Sequence, residues 1–183
     1  MDSYLHSIVK QFEYYKSLGD KTFSQLTFKE LQYTPNSYSN SISIITKHIA
    51  GNMLSRWTNF LTEDGEKEWR HRDQEFESTF ASKEELIKTW ENGWICLLEA
   101  IKSLTLSDLE RIVYIRNQGH TVIEAINRQL AHYSYHVGQI VFVGTLIKKG
   151  DWQSLSIPKG SSSTYNKNKF SKPKTIKHFT DDL

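Results

Sequence analysis

His132 and His136 stand four residues apart in the run INRQLAHYSYHVGQI, residues 126–140. In a helix that spacing stacks both imidazoles on one face, where two neutral rings can share a transition-metal ion. Seven histidines in 183 residues produce about 0.3 such pairs by chance, so the surroundings must make the case. On a helical wheel the two flank the apolar stripe, sharing an arc with Ala125, Gln129 and Val143. An earlier segment repeats the arrangement, with His48, Asn52 and Arg56 in an i, i+4, i+8 row beside Ile45, Ile49 and Met53. Three imidazoles from two helices can therefore converge. Three neutral nitrogens leave room for water or substrate, as a catalytic rather than a closed structural site does. A metal held there would acidify bound water or a thiol. The competing reading is three partly buried, hydrogen-bonded histidines.

Other residues near these rows are weaker candidates. Asn52 and Arg56 could contact an anionic or thiol-bearing substrate, although satisfying a loop backbone or pairing with Glu63 or Asp64 is the more ordinary role. Gln139, three residues after His136, could orient a ligand or bound water. Arg70, His71, Arg72, Asp73 and Glu75 form a charged cluster, read as a surface salt-bridge network in which Asp73 or Glu75 could instead accept an imidazole N–H. Cys96, among Trp94, Leu97 and Leu98, reads as a small core residue. His6, His120 and His178 lack helical partners and read as non-ligands. No Ser-His-Asp pattern, Gly-rich phosphate loop or paired-carboxylate motif is evident.

Four amphipathic segments must position these side chains. The first runs through Leu5, Ile8, Val9, Phe12, Tyr15 and Leu18, with Gly19 as a natural stop. The second starts near Ser39–Ser41, lines up Ile42, Ile45, Ile49, Met53, Trp57 and Phe60, and should end by Glu63–Gly65. Residues 66–81 show no period and read as a long structured loop. Ser82 with Glu85 forms a capping box opening the third helix, through about Ser103. Residues 109–115 alternate as a short strand or hairpin, with a turn at Asn117–Gly119. Thr121 with Glu124 then caps the fourth helix, which Gly150 ends. The pattern predicts an all-α four-helix bundle over residues 1–157 with long connections, followed by a polar, basic tail over 158–183 that wraps the bundle or stays mobile.

Composition narrows the functional classes. The net charge is +2, but the six lysines after residue 151 against Asp181 and Asp182 make that segment +4 and leave the body at −2. Such a body offers no broad attraction to a phosphate backbone, so specific nucleic-acid binding is not expected. One cysteine allows no intramolecular disulfide and no thiolate-rich metal site, so any metal takes nitrogen and oxygen ligands. With no apolar leader and no stretch near ~20 apolar residues, the chain reads as cytoplasmic and free of the membrane.

The segments ISIITKHIAGNMLSRWTNFLTEDGEKEWRHRDQEF and HTVIEAINRQLAHYSYHVGQIVFVGTLIK, with SLSIPKGSSSTYN after them, resemble the DinB/YfiT-like superfamily, in a branch of unknown function. That resemblance implies a four-helix bundle, usually dimeric, with a divalent ion held by one histidine of the second helix and two of the fourth. Those positions match His48, His132 and His136. It also implies metal-dependent transfer of a low-molecular-weight thiol such as bacillithiol, mycothiol or glutathione, with hydrolysis as the alternative. The expectation is a homodimeric bundle enzyme holding Zn²⁺, Ni²⁺ or a related ion at the three histidines, where Asn52, Arg56 or Gln139 orients the thiol. A non-catalytic dimeric metal-binding module is the rival, and a DNA-damage or DNA-binding role ranks last.

Overall fold

The computed structural model describes residues 2–77 and 80–182. It is mainly helical, with six α-helices and one two-stranded hairpin among the described residues. Four long helices, α1 (Asp2–Gln25), α3 (Ile42–Trp57), α4 (Lys83–Lys102) and α5 (Val122–Lys148), surround a common core, with α3 against α4 and α1 against α5 as the most extensive pairings. Of two shorter helices, α2 (Phe28–Leu31) lies in the connection between α1 and α3, and α6 (Ser162–Phe170) lies in the C-terminal segment after α5. At the centre Phe12 meets the rings of Trp57, Trp94 and Tyr133, one from each of the other long helices, in edge-on or tilted contacts. Large aromatic side chains there remove much apolar surface from water per residue fixed, so they do more than aliphatic neighbours to hold four helices together.

Helix starts follow the side chains that satisfy their free N–H groups. The Ser41 hydroxyl accepts from the backbone of Ile44 at the start of α3, and Thr121 with Glu124 makes a reciprocal capping box on α5. At α4 the box is half made: Ser82 accepts from the Glu85 backbone, while the Glu85 carboxylate reaches Ala81 instead. Helix ends depart further from expectation. α3 stops at Trp57 rather than near residue 63, because Asn59 takes a positive φ of 51° and turns the chain away.

Gly19, expected to end the first helix, lies inside α1. Its role is close approach: a Cβ there would sit 2.4 Å from Cζ2 of Trp90. Trp90 is buried and its indole N–H donates to Asp20 at 2.8 Å, so the ring has little freedom to withdraw. Gly19→Ala is therefore expected to lower stability by about 1–2 kcal/mol, overpacking outweighing alanine's better helix propensity; a urea melt showing equal or greater stability would contradict the crowding.

The hairpin pairs β1 (Ile112–Ile115) with β2 (Gln118–Thr121), antiparallel, with Ile115 opposite Gln118. Its turn falls at Arg116–Asn117, one residue before the expected place, and both take positive φ, 55° and 59°. The Asp64 carboxylate accepts both of their backbone N–H groups at 2.8 Å. This tethers the loop after α3 to the hairpin and brings Arg116 beside the end of α3.

The C-terminal segment is not bare tail. After α6 the chain returns to α1, where Lys10 pairs with Asp181, Ser7 bonds to the His178 ring and Tyr14 meets Phe179. Lysines spaced among Ser and Asn gave no period from which α6 could be predicted. Among the described residues no helix is long and apolar enough to cross a membrane.

Candidate metal centre

α3 and α5 meet along the edge of the core, and their contact is fixed by a buried polar chain. The Trp57 indole N–H donates to the Tyr133 hydroxyl at 3.1 Å, which donates to Asn52 Oδ1 at 2.9 Å. Tyr133 is fully buried, and burial pushes its phenol well above the ordinary range, so the hydroxyl stays a donor. A satisfied chain of this kind specifies one register between two helices where apolar packing alone tolerates slippage. Asn52 is one turn from His48, and Tyr133 follows His132; the chain that locks the helices also sets the spacing between their histidines.

His48, His132 and His136 each present a ring nitrogen, and these nitrogens lie within 4.8 Å of one another. The His132 and His136 Nε2 atoms are 3.1 Å apart. Two nitrogens bound to one tetrahedral zinc at the usual bond length lie about 3.3 Å apart, so that pair already has ligand spacing. His48 is 6% exposed, whereas His132 and His136 are half-buried. The site is thus walled by α3 and open along α5.

Hydrogen bonds at the opposite ring nitrogens select the tautomers. His48 Nδ1 bonds to Glu75 Oε2 at 2.9 Å, and His136 Nδ1 bonds to Gln139 Oε1 at 2.8 Å. The Gln139 amide nitrogen in turn donates to the Tyr135 hydroxyl at 3.1 Å, consistent with its carbonyl facing the imidazole. Each contact places the proton on Nδ1 and leaves Nε2 as a lone pair, as a metal ligand requires. Burial, followed by the neighbouring His136 and His48, pushes His132 down to about 3; burial also lowers His136, against the opposing pull of Gln139. Both rings are neutral at pH 7.

That depression has a signed consequence. In the metal-free protein the unfolded chain binds more protons than the native one between about pH 3 and the ordinary histidine value near 6.5, so stability rises with pH across that window. Acidifying from pH 7 to 5 is expected to lower the melting temperature of metal-free protein, with a weaker pH dependence in His132→Ala. Equal slopes in the two proteins would contradict the assignment.

Glu75 is the residue that the sequence placed wrongly. The charged cluster was expected to form a surface salt-bridge network, yet Glu75 and Arg70 are buried, their side chains 8% and 2% exposed. A 3-10 turn, Arg72–Glu75, packs on α3, and Arg70 donates Nε and Nη2 to the two Glu75 oxygens at 2.9 and 3.1 Å. Burial raises Glu75, but the bonds from His48 and Arg70 outweigh it and hold the carboxylate below its ordinary range. Gly51 makes room: a Cβ there would lie 2.4 Å from Glu75 Oε1. Asp73, its alternative as imidazole acceptor, is exposed. A glycine one turn from a histidine, facing a loop carboxylate, was the available signal.

The remaining candidates separate. Asn52 and Arg56 line a small cleft with His48 and His132, and Gln139 touches His136 directly. Arg56 donates Nη1 to the Gly65 carbonyl and to Glu66, not to Glu63 or Asp64. Cys96 lies elsewhere, half-buried beside Thr58, and burial raises its thiol. His178 packs on α1 and His120 bonds to Arg128. The family model that matches the chain covers residues 1–161 and is described as a protein of unknown function, DUF1572. No curated protein matches the chain.

Proposed function

We propose that this chain, which belongs to the DUF1572 family of proteins of unknown function, is a metal-dependent transferase that activates a low-molecular-weight thiol at His48, His132 and His136. The observation that supports it is the convergence of three ring nitrogens from two helices within 4.8 Å, two of them with tautomers set by hydrogen bonds. An all-nitrogen set suits Zn²⁺ or Ni²⁺ better than Mg²⁺ or Ca²⁺, which take oxygen ligands. A metal bound there supplies Lewis acidity that holds a thiol as thiolate near neutral pH.

The protein's own groups do the rest. Glu75 and Gln139 fix the His48 and His136 rings, Asn52 and Arg56 face the adjoining cleft and orient the thiol cofactor, and the α5 side admits the electrophile. A bacillithiol-type thiol is the proposed cofactor. Four long helices around one core, with the ligands on α3 and α5 in the order that the DinB/YfiT-like resemblance implies, support assigning the chain to that superfamily as a four-helix bundle. The bundle spans residues 1–157 and the basic segment 158–183 is an appendage to it. Tyr135, Phe142 and Leu146 form an exposed apolar row on α5, which supports a homodimer of this chain.

The test is turnover. Protein reconstituted separately with Zn²⁺ and Ni²⁺ is expected to conjugate an electrophilic reporter with at least one of bacillithiol, mycothiol or glutathione, and His132→Ala to lose that rate. Ester or amide hydrolysis without thiol dependence would replace thiol transfer by metal-activated water at the same site. Absence of both would leave a metal-binding dimer module.

A further inference from the structure

Beside the three histidines lies a cleft of about 190 Å³ whose walls include Arg56, Arg70, Arg72, Arg116 and Arg128. They come from four places in the chain: α3, the loop and 3-10 turn after it, the hairpin turn, and α5. Their carboxylate partners are few. Glu66 is shared by Arg56, Arg70 and Arg116, and Glu75 is taken by Arg70 and His48. Arg72 lies over the Phe76 ring and Arg128 bonds to Nε2 of His120; neither has an acid partner among the described residues. Five guanidinium groups thus share two carboxylates as ion-pair partners, with Asp64 as a third acid close enough to interact with Arg56, in a body whose net charge is −2.

Buried polar atoms in the same walls are unsatisfied. Arg56 is 6% exposed and Gln129 4%, yet Arg56 Nε and Gln129 Oε1 have no hydrogen-bond partner. A buried unpaired donor costs free energy unless a ligand or water completes it, and a guanidinium in a shielded cleft pairs best with a planar or tetrahedral oxyanion. Turning the Gln129 amide would present its N–H₂ where the carbonyl now points, so that wall can meet an anion as a donor.

We infer that this cleft binds a compact oxyanion group, a phosphate or a pair of carboxylates, on the small molecule whose reactive end reaches the three-histidine centre. The volume admits such a group. His48 and His132 line both the cleft and the candidate metal site, so a molecule anchored by its anion projects toward the metal. The geometry of delivery rests on the metal reading; the anion site itself stands on the arginines.

Calorimetry on metal-free protein in 150 mM salt tests it, with inorganic phosphate and malonate as probes. One saturable site per chain is expected for at least one of them, weakened tenfold or more in Arg72→Gln/Arg128→Gln. Those two side chains are exposed and hold no buried partner, so the variant should fold, with a melt as control. Tighter phosphate binding identifies a phosphate ester, and tighter malonate binding a dicarboxylate; both uphold the site. No saturable binding of either probe, or equal affinity in the double variant, overturns it. Metal content separates the two readings. His136→Ala, whose ring lies outside the cleft, should lose metal and keep phosphate binding, while the arginine variant should keep metal and lose the anion.

Discussion

His132→Ala should reduce the purified protein from about one transition-metal ion per chain to background, a loss of affinity of a hundredfold or more. The substitution is selective because of where the ring sits. His132 is half-buried at the open side of the site, and its ring bonds to His136 Nε2 at 3.1 Å. Truncation leaves no buried charge and breaks no helix contact of the Trp57–Tyr133–Asn52 chain. His48→Ala is a poorer probe, since it would also remove a partner from the buried Glu75. Thermal melts give a second readout: free metal at a hundred times its dissociation constant stabilises the wild type by about 2.7 kcal/mol, and should leave His132→Ala unmoved. Full retention of one equivalent in the variant would sink the three-histidine assignment, whatever the activity.

How much of this was legible in the sequence depends on whether the signal was periodic. The histidine rows on α3 and α5 could be read because an i, i+4 repeat survives without knowledge of the partner helix. Caps at Ser41 and Thr121 were legible for the same reason: their partners lie three residues away. Gly19 was misread because a helical glycine that makes room for Trp90 and one that ends a helix look alike until the neighbour, 71 positions on, is known. Arg70 and Glu75 looked like solvated charge, since the six consecutive polar residues 70–75 contain no hint that the fold will bury two of them beside α3. The arginine cleft was invisible for a stronger reason. Its members are spread over residues 56–128, and net charge averages them against distant acids. Concentration of like charge is a property of the fold, not of the composition.

The same buried pair yields the second strong expectation. Glu75→Ala should destabilise the protein by about 3 kcal/mol, at the low end for breaking a buried ion pair. Arg70, its side chain 2% exposed, would lose both donors' partners, and only Glu66 at 3.7 Å remains to offset the charge. Glu75→Gln separates stability from function. The amide keeps the shape and one acceptor for His48 Nδ1, but it turns an N–H₂ toward a donor and removes the negative charge behind the imidazole. Metal affinity should then fall by about 10–100-fold, the usual effect of disturbing a carboxylate behind a ligating histidine, with a smaller loss of stability than in Glu75→Ala. Gly51→Ala should move the two measurements in the same direction by a different route, because its Cβ would stand 2.4 Å from Glu75 Oε1 and push the carboxylate off His48. If Glu75→Gln and Gly51→Ala both fold and bind metal within twofold of the wild type, the Glu75–His48 bond only braces the loop against α3. A parallel fall in both variants would instead tie the buried loop carboxylate to the chemistry of the ring.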